Sequence, residues 1–120
     1  MKALIVDDSG TMRRIVRNAI AQAGVDDVVE ASNGAEAVEQ AKQGDIQLIL
    51  MDWNMPEMSG IDAVRAIRSS GDKTPIIMVT TEAEKKRIIE AIQAGITDYL
   101  VKPFTPDALA EKVKKHAPAG

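Results

Sequence analysis

Short continuous apolar runs alternate along this chain with stretches in which apolar residues return at helical spacing. Ala3-Leu4-Ile5-Val6 is the first run and stops at Asp7 and Asp8. Met12, Ile15, Val16, Ala19, Ile20 and Ala23 then fall on one helical stripe, with Gly24 as a stop. Val28-Val29-Glu30-Ala31 reads as a second strand, and Asn33 with Glu36 as the cap of a helix ending at Gly44. The run from Ile46 to Met51 contains Leu48-Ile49-Leu50-Met51, the pattern of a strand covered on both faces. It ends at Asp52, and Pro56 lacks the donor that a central strand needs.

The second half repeats the scheme. Ser59 and Asp62 have capping spacing before a helix carrying Ile61, Val64 and Ile67, stopped near Gly71. Pro75 opens a fourth strand, Ile76-Ile77-Met78-Val79, which ends at Thr80 and Thr81. Thr81 with Glu84 predicts the cap of a helix that buries Ile88, Ile89 and Ile92 and stops at Gly95. Tyr99-Leu100-Val101 is the fifth strand, ended by Lys102-Pro103. Thr105 as cap and Pro106 at the first helical position start a last helix with Leu109 and Val113 inside. The tail from Ala117 to Gly120 is expected to fray. Strands alternating with helices predict an α/β protein with a parallel sheet covered on both faces, because each parallel connection needs a crossover.

Composition narrows this little but excludes much. At 120 residues the chain is expected to form one domain, residues 1–120, with no effector domain. With one Trp, one Tyr and one Phe, its core must be aliphatic. No cysteine is present, which removes disulfides, thiolate metal sites and cysteine nucleophiles. A net charge of −3 offers no electrostatic footprint for nucleic acid. The apolar runs are too short to span a bilayer and no signal peptide opens the chain, so a cytoplasmic location is expected. The chain is also expected to be a monomer.

The chemistry lies where the runs end. Ligands bind outside the carboxyl ends of strands in open parallel sheets. Asp7, Asp8, Asp52, Thr80, Thr81 and Lys102 are therefore expected at one edge. Clustered carboxylates repel unless cations accompany them. Lys102 supplies one positive charge, and Mg²⁺ is the hard ion suited to carboxylates plus a phosphate oxygen. Asp8 and Asp52 are the natural ligands, Asp7 binding directly or through water, and a backbone carbonyl near Asn54 could complete the shell. Such a site receives a phosphoryl group, with Asp52 either a fixed ligand or the nucleophile.

Val6-Asp7-Asp8-Ser9, Met51-Asp52-Trp53-Asn54-Met55-Pro56, Met78-Val79-Thr80 and Tyr99-Leu100-Val101-Lys102-Pro103-Phe104 closely resemble the receiver domains of two-component response regulators. Asp52 to Gly60, Thr11-Met12-Arg13-Arg14-Ile15 and Ala94-Gly95 are most similar to the chemotaxis members. The resemblance covers essentially the whole chain. It implies a single (βα)5 flavodoxin-like domain with strand order 2-1-3-4-5. Asp52 would be the phospho-acceptor, Asp7 and Asp8 the Mg²⁺ acids, and Asn54 a metal ligand through its backbone carbonyl. Lys102 would contact the phosphoryl group, next to a cis bond to Pro103. Thr80 and Tyr99 would form a switch pair, and Asn54 and Glu82 would tune dephosphorylation. The implied partners are a chemotaxis histidine kinase, a flagellar motor switch protein and a phosphatase. The implied role is signalling, with catalysis limited to the chain's own phosphotransfer and dephosphorylation.

Two departures stand out. Ser9-Gly10 replaces the Phe-Ser pair of the best-known enteric chemotaxis member. Thr81 stands where alanine or serine is usual, and its methyl is expected to alter phosphotransfer rates. A phosphorelay intermediate or another single-domain regulator is the alternative. A Mg²⁺-dependent aspartyl phosphohydrolase is more distant, because Asn54 cannot protonate a leaving group. A flavin or nucleotide module lacks its phosphate loop, since Asp7-Asp8 would repel a phosphate without a metal. Outside the site, Lys85-Lys86-Arg87 reads as a solvated helix face, Trp53 as a loop anchor, and His116 as a residue favoured by a helix dipole.

Overall fold

The structure is a computed structural model that describes residues 1–116; the expected frayed tail lies outside the described residues. Strands β1 (Lys2–Val6), β2 (Asp27–Ala31), β3 (Leu48–Met51), β4 (Ile76–Thr80) and β5 (Asp98–Val101) alternate with five helices. These are α1 (Gly10–Ala21), α2 (Gly34–Lys42), α3 (Gly60–Ser69), α4 (Lys85–Ala94) and α5 (Pro106–His116). All neighbouring strands are parallel, in the order β2-β1-β3-β4-β5. The expected fold class is the observed one. The third run is shorter than its apolar pattern suggests: Ile46 and Gln47 precede the strand proper, although Gln47 N–H already bonds Lys2 O at 2.9 Å.

Strand alternation divides the core in two. Leu4, Val6, Ile49, Met51, Ile76 and Met78 face Ala37, Ala41, Ile61, Val64 and Ile67, the α2–α3 side. Ala3, Ile5, Leu48, Leu50, Ile77 and Val79 face Val16, Ala19, Ile20, Leu109 and Val113 of α1 and α5. The central strands β1, β3 and β4 are thus apolar on both faces, which is why they read as unbroken runs.

Several expected caps form. Asn33 accepts from Glu36 N–H at 2.9 Å while Glu36 returns a bond from Ser32 N–H at 3.0 Å. Ser59 accepts from Asp62 N–H at 3.3 Å, and Thr105 from Ala108 N–H at 3.2 Å. At α1 the cap is Ser9, bonded to Met12 N–H at 3.1 Å, and Asp7 instead accepts the Ser9 N–H at 2.9 Å.

Helix α4 departs from the sequence reading. Its N-cap is Glu84, which makes no side-chain cap bond, and Thr81 lies in the preceding loop. Ala91 is its only fully buried residue, while Ile89 and Ile92 are 43 % and 60 % exposed. Helical spacing cannot say which stripe faces the sheet. Here the small residues Ala91 and Ala94 turn inward, Ile88 is half-buried, and Ile89 and Ile92 turn out. The helix stops as expected at Gly95, whose φ of 111° is open to glycine alone among common residues.

At the opposite edge, Asp98 opens β5 and ties it to α5. Its carboxylate receives Lys112 Nζ at 2.9 Å, His116 Nε2 at 2.7 Å and Tyr99 N–H at 2.8 Å. A carboxylate has no proton to give, so Nε2 carries the hydrogen, and His116 does more than face a dipole. Burial pushes the Asp98 carboxyl up, but the bonds from Lys112, His116 and Tyr99 outweigh it and hold it down at about 2. A depressed acid stabilises the fold above its unfolded value near pH 4, and the contribution is lost as pH falls through 2. Asp98→Asn is therefore expected to cost about 1 kcal/mol at pH 7 after solvent screening. Urea midpoints of the two proteins should converge toward pH 2.

Candidate functional site: an acidic cluster at the carboxyl edge of the sheet

The register of the strands builds the site. Val6 is paired with Met51, so Asp7 and Asp52 leave adjacent strands side by side. Thr80 is paired with Val101, which brings Lys102 to the same edge. The backbone bonds Asp52 N–H to Val6 O (3.0 Å) and Lys102 N–H to Thr80 O (2.8 Å) extend the ladders past the strand ends. Because the chain turns to opposite sides of β1 on its way to β2 and β3, this is also the point where the winding reverses.

Asp7 and Asp52 are buried and Asp8 is exposed, yet one carboxylate oxygen from each lies within 4.8 Å of the others. Lys102 Nζ reaches Asp7 Oδ2 at 2.8 Å and Asp52 Oδ2 at 3.4 Å. Trp53 N–H donates to Asp52 Oδ1 at 2.7 Å. Burial pushes the Asp52 carboxyl above its ordinary value; Lys102 pulls it back and the Asp7 carboxylate pushes it up again. Three carboxylates and one ammonium leave the cluster short of positive charge. Its donors are all hard oxygens on strand ends, the chemistry of an Mg²⁺ site and not of a thiolate or imidazole metal. The residues present fit such an ion.

The remaining expected residues surround this cluster. Thr80 is fully buried, and its Oγ1 accepts from Glu82 N–H at 3.4 Å. Asn54 Nδ2 donates to Glu82 Oε1 at 3.0 Å, bridging the loops after β3 and β4. Tyr99 is half-buried, and its hydroxyl donates to Glu82 O at 2.6 Å. Burial, with Glu82 nearby, pushes the Tyr99 phenol up to about 12, so it remains a donor at any physiological pH. The Lys102–Pro103 peptide is cis. Thr81 is exposed, so its methyl does not fill the buried part of the site.

Two residues near the site had no part in it in the sequence reading, which placed Arg87 on a solvated helix face. Arg13 Nη1 donates to Asp7 O at 2.7 Å while its Nε bonds Glu30 at 2.6 Å, tethering α1 and β2 to the first acid. Arg87 of α4 lies over the Trp53 ring, 5.5 Å from its centroid. The first lies within a quoted motif segment; for the second, no sequence spacing pointed to the contact.

A five-stranded parallel sheet with acids from β1 and β3 facing a lysine after β5 defines a class of signalling domain. The chain belongs to the response regulator receiver domain family, which it matches over residues 3–114. Its relatives include chemotaxis protein CheY1 of Helicobacter pylori, 49 % identical over 95 % of this chain and 94 % of that one. Another is a chemotaxis protein CheY homolog of Campylobacter jejuni, 49 % identical over 95 % of this chain and 90 % of that one. Among solved structures, Vibrio cholerae chemotaxis protein CheY4 superposes with a TM-score of 0.85 at 37 % identity, covering 96 % of this chain and 97 % of that one. This is a receiver domain of the CheY type.

Proposed function

We propose that this chain is the phosphoryl-accepting switch of a chemotaxis pathway, with Asp52 as acceptor. The observation that carries the reading is the convergence of Asp7, Asp8, Asp52 and Lys102, from three strand ends, within one acidic cluster. Asp7, Asp8, Asp52 and the Asn54 carbonyl would hold Mg²⁺, which supplies charge neutralisation for a transferring phosphoryl group.

The chain's own groups do the rest. An Asp52 carboxylate oxygen attacks the phosphorus of a phosphohistidine on a histidine kinase. The new P–O bond forms as the P–N bond breaks, and the electron pair leaves on the imidazole, which takes a proton from solvent. Lys102 keeps Asp52 ionised against the pull of burial, then holds a phosphoryl oxygen as charge develops. The Thr80 hydroxyl turns from Glu82 N–H toward the phosphoryl group, and Tyr99 follows into the space left. Asn54 and Glu82 sit across the approach to Asp52 and set how readily water reaches the acyl phosphate.

The output is a change in affinity for a protein partner, and only contacts that differ between the two conformations contribute to it. The chemotaxis names of relatives at 46–49 % identity support the flagellar motor switch protein as that partner. A phosphatase would complete the cycle. The test is incubation with a radiolabelled phosphohistidine donor with and without Mg²⁺. Up to one label per chain is expected with Mg²⁺ and background labelling in chelator. Equal labelling in both conditions would remove the metal from the mechanism, and no labelling in either would remove the acceptor.

A further inference from the structure

Helix α4 is held unusually lightly. It has one fully buried residue, Ala91, whereas α3 beside it has five. Beside the apolar contacts of Ala91 and Ala94, polar contacts join α4 and its C-terminal end to α3. Glu90 Oε2 receives Arg65 Nη2 of α3 at 3.0 Å, and Arg68 Nε donates to Gly95 O at 2.9 Å. Arg87, in the first turn of α4, faces two ways. Its Nη1 lies 3.3 Å from Glu90 Oε1, and its guanidinium covers the Trp53 ring. Trp53 cannot readily follow a moving helix. It is 5 % exposed, its N–H is bonded to Asp52 and its carbonyl accepts Gly60 N–H at 2.8 Å. The Arg87–Trp53 contact therefore connects the residue beside the acceptor to the helix with the fewest buried anchors.

We propose that Arg87 is a positioning residue that latches α4 in its present place by resting on Trp53 while paired with Glu90. The proposal rests on the reading of Asp52 as a phosphoryl acceptor. It adds that α4, with one fully buried residue, is the element that shifts when Asp52 is occupied. A contact present in one conformation and absent in the other biases the equilibrium toward the first. A guanidinium that stays partly in solvent, as Arg87 does at 43 % exposure, shifts such an equilibrium about two- to fivefold when it rests on a tryptophan ring. Arg87 thus acts as a brake: α4 yields to a phosphoryl group on Asp52 less readily with the latch than without it.

The test uses beryllofluoride, which mimics a phosphoryl group on a carboxylate, titrated calorimetrically at saturating Mg²⁺. Arg87→Ala is expected to bind it about two- to fivefold more tightly than the unaltered protein. Arg87→Lys, which keeps a cation over the ring, is expected to restore the original affinity. Affinity for Mg²⁺ alone should not change, and amides in the first turn of α4 should exchange faster in Arg87→Ala. Trp53 emission should shift in Arg87→Ala and return in Arg87→Lys, a signature that a loss of general stability would not produce. Arg87→Met retains the aliphatic contact and answers the same question if the alanine variant folds poorly. Unchanged or weaker beryllofluoride binding by folded Arg87→Ala or Arg87→Met overturns the latch alone. Failure of the unaltered protein to bind beryllofluoride overturns the acceptor reading and the latch with it.

Discussion

Asp52→Asn is expected to reduce phosphoryl labelling to background, a loss on the order of 10³-fold or more, as for removal of a nucleophile elsewhere. The amide keeps the shape of the carboxylate and can still accept the Trp53 N–H bond through its carbonyl oxygen. It cannot form an acyl phosphate. The same substitution should stabilise the metal-free protein at neutral pH. Burial raises the Asp52 carboxyl, which means that its ionised form is less favourable folded than unfolded. For a raised acid the penalty is present above the folded value and relieved as pH falls through it. Denaturant midpoints in chelator should therefore be higher for Asp52→Asn at pH 7, with the advantage vanishing as the native carboxyl takes up its proton. An Asp52→Asn protein that is labelled as strongly as the original would place the acceptor elsewhere. Asp7 would be the next residue to test.

Gly60→Ala is expected to cost more than about 3 kcal/mol, or to prevent folding, although it adds one methyl to the first turn of a helix. A Cβ at this position would lie 1.8 Å from Asp52 O and 2.8 Å from Asp52 C. These are backbone atoms at the end of β3, and they cannot swing away as a flexible side chain could. The nearby bond from Gly60 N–H to Trp53 O, 2.8 Å long, requires the same close approach. Relief would have to come from displacing the β3–α3 loop, and with it the Asp52 carboxylate. Thermal unfolding measures the loss. In any fraction that folds, Mg²⁺ affinity should fall as well, because the three carboxylates would no longer converge. A Gly60→Ala protein with native stability would show that the loop is looser than its hydrogen bonds indicate.

The site was legible to the extent that chemistry interrupts pattern. Asp7, Asp52 and Lys102 each follow an apolar run directly, and in a parallel sheet the ends of all such runs meet at one edge. Caps were legible where a short polar side chain stood three residues before the N–H it accepts, as at Asn33, Ser59 and Thr105. The same rule failed at Thr81, because the loop after β4 continues through Glu82, whose carbonyl is taken by the Tyr99 hydroxyl. It also did not identify Ser9 as the cap of α1. Periodicity marked α4 as a helix but put its isoleucines inside. A stripe of small residues fits closely against the sheet edge as well as a stripe of large ones does, and hydrophobicity alone ranks the large ones first.

The sequence by itself determined the alternation of strands and helices, the aliphatic core and the identities of the charged residues at the strand ends. Those features are local: each depends on residues within a turn or a strand of one another. Only the tertiary structure decided which face of α4 is covered, that Asp98 is held by Lys112 and His116, that Gly60 must pass against Asp52, and that Arg87 rests on Trp53. Each of these depends on the distance between segments that are remote along the chain. Such distances follow from how the helices settle on the sheet, and no single segment carries that information.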